Sequence, residues 1–239
     1  MRKSLLVIAL LAVVCSAGAQ NKWKYQLGAG FNLNEGNVNN MSLNTSGSAD
    51  RNDSTLAFSA NYKYIYTTQD EKVTNKGLNA GIKFDLWQYD RWSPFFASEY
   101  INNKFKGYDY KLSLLAGAKY RIYTLPGICD YSVSGAIVYD FVRYAEATDL
   151  KPQVLRASFR AKIKQKIGDV TSINHSTFYQ PSFYDWDGDW ILTSTTKIEN
   201  KLSKNFFLDL IFGYEYRSLV PETRSHHDME TSVSLRLVF

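Results

Sequence analysis

The stretch TSVSLRLVF, Thr231 to Phe239, places an apolar residue at every second position and carries that rhythm through to an aromatic ring. A chain end free in water is ordinarily polar and frayed, because its few contacts do not offset the entropy of ordering it. Successive side chains of a strand point to opposite faces, so Val233, Leu235, Leu237 and Phe239 share one face while Ser232, Ser234, Arg236 and Val238 share the other. The stretch therefore reads as a strand paired along its whole length.

The same rhythm runs backwards through the chain. In WKYQLGAGFNL, Trp23, Tyr25, Leu27, Ala29, Phe31 and Leu33 fall on one face, and Lys24, Gln26, Gly28, Gly30 and Asn32 on the other. LAFSANYKYIY, LNAGIKFDL, LSLLAGAKYRI, YSVSGAIVYDF, LRASFRAKI and FLDLIFGYEY repeat it, and helical periodicity is nearly absent. Twelve strands are expected, near 23–33, 40–50, 54–66, 76–87, 93–102, 109–123, 129–143, 152–166, 169–181, 189–200, 204–217 and 228–239. The fifth and ninth alternate least cleanly.

The links between these segments alternate in length. Arg51-Asn52-Asp53, Gln88 to Arg91, Thr124 to Gly127, Gly168-Asp169 and Lys201 to Lys204 are tight and turn-rich. Between them stand the longer TTQDEKVTN, NKFKGYD, YAEATDLKP, SFYDWDGD and RSLVPETRSHH. An even-stranded meander with short turns at one end and long loops at the other is the arrangement of an outer-membrane barrel, both termini lying on the short-turn side.

The first nineteen residues are expected to be a signal peptide, which leaves 20–239 as the barrel. Arg2 and Lys3 open it, Leu5 to Val14 is apolar, and Ala17-Gly18-Ala19 is the small-residue cleavage pattern before Gln20. Cys15 raises a lipid-anchored alternative, against which bulky Val14 stands where a small residue is wanted. Setting Arg2 and Lys3 aside turns 28 basic against 23 acidic residues into 26 against 23, a balance that excludes a nucleic-acid polycation. Cys129 would then be the only cysteine, so no intramolecular disulfide is expected. After the leader no stretch approaches the ~18 apolar residues of a transmembrane helix, but a spanning strand needs only about 9 to 11 alternating ones.

Alternation alone does not say whether the apolar face meets a core, as in a lipocalin-like barrel or a secreted sandwich, or meets lipid. Two features favour lipid. Aromatic rings gather near the ends of the apolar faces, at Trp23, Tyr64, Tyr66, Tyr120, Tyr139, Phe141, Tyr214 and Tyr216, as in the interfacial girdles of membrane barrels. A closed twelve-strand barrel also leaves no unpaired edge, which lipid demands. The chain is thus expected to be an all-β, antiparallel, up-and-down transmembrane barrel in the outer membrane, a monomer in contact with membrane lipids and lipopolysaccharide.

GAGFNLNEGNVNNMSLNTSGSAD followed by STLAFSANYKYIY, with the Gly36-Asn37 step and Gly47, resembles the YdiY-like salt-induced outer-membrane protein family. YDRWSPFFASEY, LLAGAKYRIY, RASFRAKI and the closing strand are similar to it too. The resemblance spans nearly all of residues 20–239. It implies a bacterial outer-membrane barrel with no established activity and no catalytic residues to transfer. Leu235, Leu237 and the final Phe239 also resemble the signal by which the barrel assembly machinery recognises its substrates.

No catalytic constellation is expected. His226 and Asp228 share a face near a loop mouth, as a carboxylate–histidine pair would, but a hydrophilic loop is the favoured reading. His175 and Ser176 are adjacent on a strand and point opposite ways, so they do not form a base and nucleophile. Asp185, Asp187 and Asp189 alternate in DWDGD as weak metal candidates, well short of the six to eight oxygens calcium takes. GAGFNLNEG lacks the third glycine and the helix of a dinucleotide fingerprint, and no cofactor is expected.

The polar face carries the remaining information. Placed inward, it brings Lys24, Lys63, Lys83, Lys111, Lys119, Arg121, Arg156, Arg160, Lys162, Lys197 and Arg236 against Asp85, Glu99, Asp140, Glu199, Asp209 and Glu215. That excess suggests a narrow channel favouring anions, or an envelope-homeostasis protein. A plugged structural or adhesive barrel and, further off, an outer-membrane hydrolase are the alternatives.

Overall fold

The structure, a computed structural model, describes residues 23–34, 40–145, 149–220 and 225–239. The leader expected over residues 1–19 and the Gly36-Asn37 step lie outside the described residues. Twelve strands follow in chain order: β1 (Trp23–Asn34), β2 (Asn40–Asn52), β3 (Leu56–Gln69), β4 (Lys72–Leu86), β5 (Trp92–Asn103), β6 (Tyr108–Leu125), β7 (Cys129–Tyr144), β8 (Gln153–Ile167), β9 (Thr171–Pro181), β10 (Trp190–Lys201), β11 (Phe206–Arg217) and β12 (His227–Val238). Each pairs antiparallel with its neighbours in sequence, and β12 returns to β1, so the sheet closes into a barrel. The closing register sets Leu27 opposite Leu237 and Ala29 opposite Leu235. Beyond it, Tyr25 and Phe239 exchange backbone hydrogen bonds of 3.4 and 3.1 Å. Every strand thereby has two partners, which backbone groups in lipid require.

Burial settles which face is outside. Phe31, Phe96, Ile137 and Leu235 are more than half exposed, whereas the charged Asp140 and Asp209 are each 2% exposed. Alternation places these two sets on opposite faces. A soluble barrel would reverse them, since apolar groups gain by leaving water and charges lose. The exterior is an apolar belt bounded by rings: Trp23 stacks beside Tyr25 and meets Phe58, which meets Phe84, near the short turns. Tyr139 with Phe141, and Trp190 with Tyr179 and Tyr216, mark the other end. Within the belt Gly47 lies opposite Tyr62, whose ring covers it; a Cβ there would stand 2.5 Å from Tyr62 Cε1.

One expected loop is absent. TTQDEKVTN was expected as a long link, but β3 and β4 continue through it to pair Gln69 with Lys72, and only Asp70 and Glu71 turn, at φ 47° and 63°. Two left-handed residues in succession form the two-residue turn whose twist matches a hairpin. Asp-Glu supplies none of the glycine by which such turns are normally legible. The fifth strand's uneven alternation also has a cause: Phe95 is buried on the inner face while Phe96, beside it, is exposed on the outer one.

Candidate functional site

The inner face of the barrel holds the charges, and the strands bring them together in several groups. Nearest the short turns, Arg236 on β12 donates to Asp209 on β11 at 2.6 and 3.1 Å, to Gln26 on β1 at 2.6 Å, and to Glu199 on β10. Lys197 completes the group, 2.9 Å from Asp209 and 3.1 Å from Glu199, while Asn174 donates to Glu199 from β9. Five consecutive strands at the seam are thus tied by alternating charges. Buried charges are tolerated only when paired and hydrogen-bonded in this way.

At the opposite end a second group joins walls that face each other. β5 passes into a single 3₁₀ turn, Lys104–Lys106, where buried Asn103 accepts hydrogen bonds from the backbone of Phe105 and Lys106 at 3.0 and 3.1 Å. Gly107 ends the turn at φ 87°, a left-handed position that glycine fills without steric cost. So held, the turn sends Lys106 Nζ to within 2.9 Å of Asp228 Oδ2 on β12. Beside it the Arg217 guanidinium of β11 lies 4.7 Å from the centre of the Tyr108 ring of β6. In a ring of twelve strands, β5 and β6 stand across from β11 and β12. These contacts therefore span the mouth. Burial works against the Lys106 ammonium, but the Asp228 hydrogen bond and charge, with Glu215 and Glu230 behind it, outweigh that and hold its pKa above the ordinary lysine value. Lys63 pairs with Glu230 nearby.

Between these groups lies a cavity of about 460 Å3. Its upper wall includes Tyr108, Glu215 and Arg217, which belong to the crossing. Toward the β7–β8 side, Asp140 is held by Lys111 at 3.1 Å, Ser113 at 2.5 Å and Arg156 at 3.5 Å. Lower down, Lys83 donates to both oxygens of Asp85 at 2.7 Å, with Lys119 3.9 Å from the same carboxylate. Arg121 reaches Asp130 at 3.3 Å and the carbonyl oxygens of Gln88 and Tyr89.

Along β8, Arg156, Arg160 and Lys162 share the inner face with buried Ser158, and Lys164 follows in register. Arg156 binds Asp189 through its terminal nitrogens and lies 3.5 Å from Asp140. Among the described residues no carboxylate lies within ion-pair distance of Arg160, Lys162 or Lys164. Arg160 instead faces the Phe178 ring at 5.6 Å.

Other candidates disperse. Asp189 gives both carboxylate oxygens to Arg156 at 2.9 and 3.0 Å, and Asp185 accepts from the Gly188 backbone within its own turn. Among the described residues no cluster of three metal-ligand side chains forms. His226 is bound to the Arg217 carbonyl, while its supposed partner Asp228 is taken by Lys106. His175 faces outward between Thr196 and Thr177, at 2.9 and 3.1 Å, and Ser176 faces inward. Leu235, Leu237 and Phe239 line the outer side of the seam.

Sequence reasoning passed over several inner residues. Phe95, Val138 and Ile191 are buried apolar groups on the polar face, where alternation had promised polar ones. Arg217 and Glu230 lie toward strand ends, where register is least legible, and Asp228, read from the sequence only beside His226, pairs instead with Lys106.

A family model matches residues 27–239. The chain belongs to DUF481, described as a protein family of unknown function. The resemblance read from the sequence agrees with a family of that standing. Among proteins with curated descriptions none matches the sequence. The DUF481 chain is similar in fold to the translocator domain of the autotransporter NalP from Neisseria meningitidis, with 12% identity over 100% of this chain and 95% of that one, at a TM-score of 0.50. It is also similar to the NanC porin, with 9% identity over 90% of this chain and 97% of that one, at a TM-score of 0.51. At such identity the likeness is one of fold. With the apolar belt and sealed edges it makes this DUF481 member an outer-membrane β-barrel.

Proposed function

We propose that the barrel conducts small solutes and prefers anions. The observation that carries this reading is the row Arg160, Lys162 and Lys164, inner-face cations with no carboxylate within ion-pair distance among the described residues, whereas Lys63, Lys111, Lys197 and Arg236 are all paired. Unbalanced charge along a narrow, low-dielectric wall attracts counter-ions and repels like ones. The role is non-catalytic on this reading, since His226 is held by the Arg217 carbonyl, and His175, though bonded to two threonine hydroxyls, stands on the outer face away from the lumen.

The test is a planar bilayer recording of the purified barrel under a potassium chloride gradient. A reversal potential displaced toward that of chloride supports the proposal; one displaced toward potassium sinks it. A second reading, a barrel closed for structural or adhesive work, is favoured by the Lys106–Asp228 and Tyr108–Arg217 contacts across the mouth. Silence in the bilayer, from wild type and from a variant lacking the Lys106–Asp228 pair, would select it.

A further inference from the structure

The cavity of about 460 Å3 lies within the size range of small-ligand sites, and its chemistry is uneven in a way that specifies a ligand. Several inner guanidinium groups are spent: Arg156 on Asp140 and Asp189, Arg236 on Asp209 and Glu199, Arg217 on Glu215. Arg160 is not. Its buried Nε lacks a hydrogen-bond partner, as do those of Arg121 and Arg156, but their terminal nitrogens are hydrogen-bonded whereas those of Arg160 make no hydrogen bond among the described residues. Buried donors left unmade are costly, and native structures rarely keep one without a use. A guanidinium offers a planar fork that matches a carboxylate with two parallel hydrogen bonds.

The surroundings of Arg160 are apolar and aromatic on one side. Phe178 lies beside it, Phe95 lines the same cavity, and Ile191 is buried there too. On the other side Gln180 and Ser158, joined at 3.1 Å, and Thr193 offer hydrogen bonds. Aromatic faces recognise flat or ring-shaped bodies, through stacking worth more than area alone.

We infer that this cavity is a binding site for a small carboxylate carried on a ring, the carboxylate on the Arg160 fork and the ring against Phe178 and Phe95. The inference rests on the anion-conducting reading for its biological sense, but not for its test. The ligand would enter carboxylate-first or ring-first past the Lys106–Asp228 crossing and pause where the guanidinium is unmet.

The experiment is calorimetric titration of the full barrel in detergent with benzoate, acetate and benzylamine. Benzoate is expected to bind about tenfold or more tighter than acetate, with benzylamine showing no binding. Arg160→Gln is expected to weaken benzoate about tenfold or more, Arg160→Lys to rescue it only in part, and Phe178→Leu to erase the preference over acetate. Heat-modifiable migration checks that each variant is folded. Should Arg160→Gln fail to fold, Phe178→Leu still decides, because it removes no charge. Benzoate and acetate binding alike, or benzoate binding untouched by the folded variants, overturns the inference. An anion-selective barrel that does not bind benzoate leaves the channel standing and removes the site; a barrel that binds benzoate but passes no current does the reverse.

Discussion

Lys106 Nζ stands 2.9 Å from Asp228 Oδ2, and the two residues belong to opposite walls of the barrel. The contact is partly exposed, with the side chains 31% and 47% accessible, so it adds less than about 1 kcal/mol to stability. On the proposed channel reading, a bond across the mouth bears on passage out of proportion to that figure. Asp228→Asn and Lys106→Gln are each expected to raise single-channel conductance while leaving the heat-modification temperature nearly unchanged. Equal conductance in wild type and both variants would show that the crossing obstructs nothing.

Alkaline pH should act on the same contact. Asp228 and the acids behind it raise the Lys106 pKa above the ordinary 10.5. The pairing is therefore complete below 10.5 and is lost as pH rises through the elevated value. Conductance is expected to hold steady across neutral pH, then climb at strongly alkaline pH. Lys106→Gln should abolish the climb, which separates it from titration elsewhere in the lumen.

The inside-out assignment makes a sharp demand on single substitutions. Ile137 is 56% exposed on the outer face of β7, near mid-strand. Ile137→Arg should cost about 2–4 kcal/mol of insertion free energy, read as failure to fold into lipid vesicles. Ser134→Arg, on the inner face of the same strand, should fold and shift the reversal potential further toward chloride. If both insert equally well, the belt is not in lipid.

Much of this was legible in the sequence, and the exceptions have physical causes. Leu235, Leu237 and Arg236 alternate in TSVSLRLVF because lipid and lumen impose opposite chemistry on neighbouring residues, so face and strand could be read together. Phe95 broke the pattern because the lumen tolerates a ring wherever a charge can sit over it, as Lys83 does at 5.0 Å. The Asp70-Glu71 turn carried no glycine to announce it. Lys106 and Asp228 are 122 positions apart in sequence, and only closure of the ring brings them together. The site was legible as a list of inner charges, but which were paired, and hence that Arg160 was not, depended on register and rotamer.

Asp209 offers the strongest test of the seam. It is 2% exposed, accepts from Arg236 at 2.6 and 3.1 Å, and lies 2.9 Å from Lys197. Removing its charge leaves two cations sharing Glu199 alone, and an uncompensated buried charge costs about 3–5 kcal/mol. β12 meets β1 over only four paired residues, fewer than any other strand pair, and Arg236 also reaches across that seam to Gln26. Asp209→Asn is therefore expected to lower the temperature of heat modification, with the β1–β12 seam opening first, seen as faster proteolysis near Trp23. Because the cost lies in the stranded charge rather than in the lost bond, Asp209→Asn combined with Arg236→Met should recover much of the loss. A double variant as unstable as the sum of its parts would mean that the two residues act independently, and that the seam is held by its backbone pairing instead.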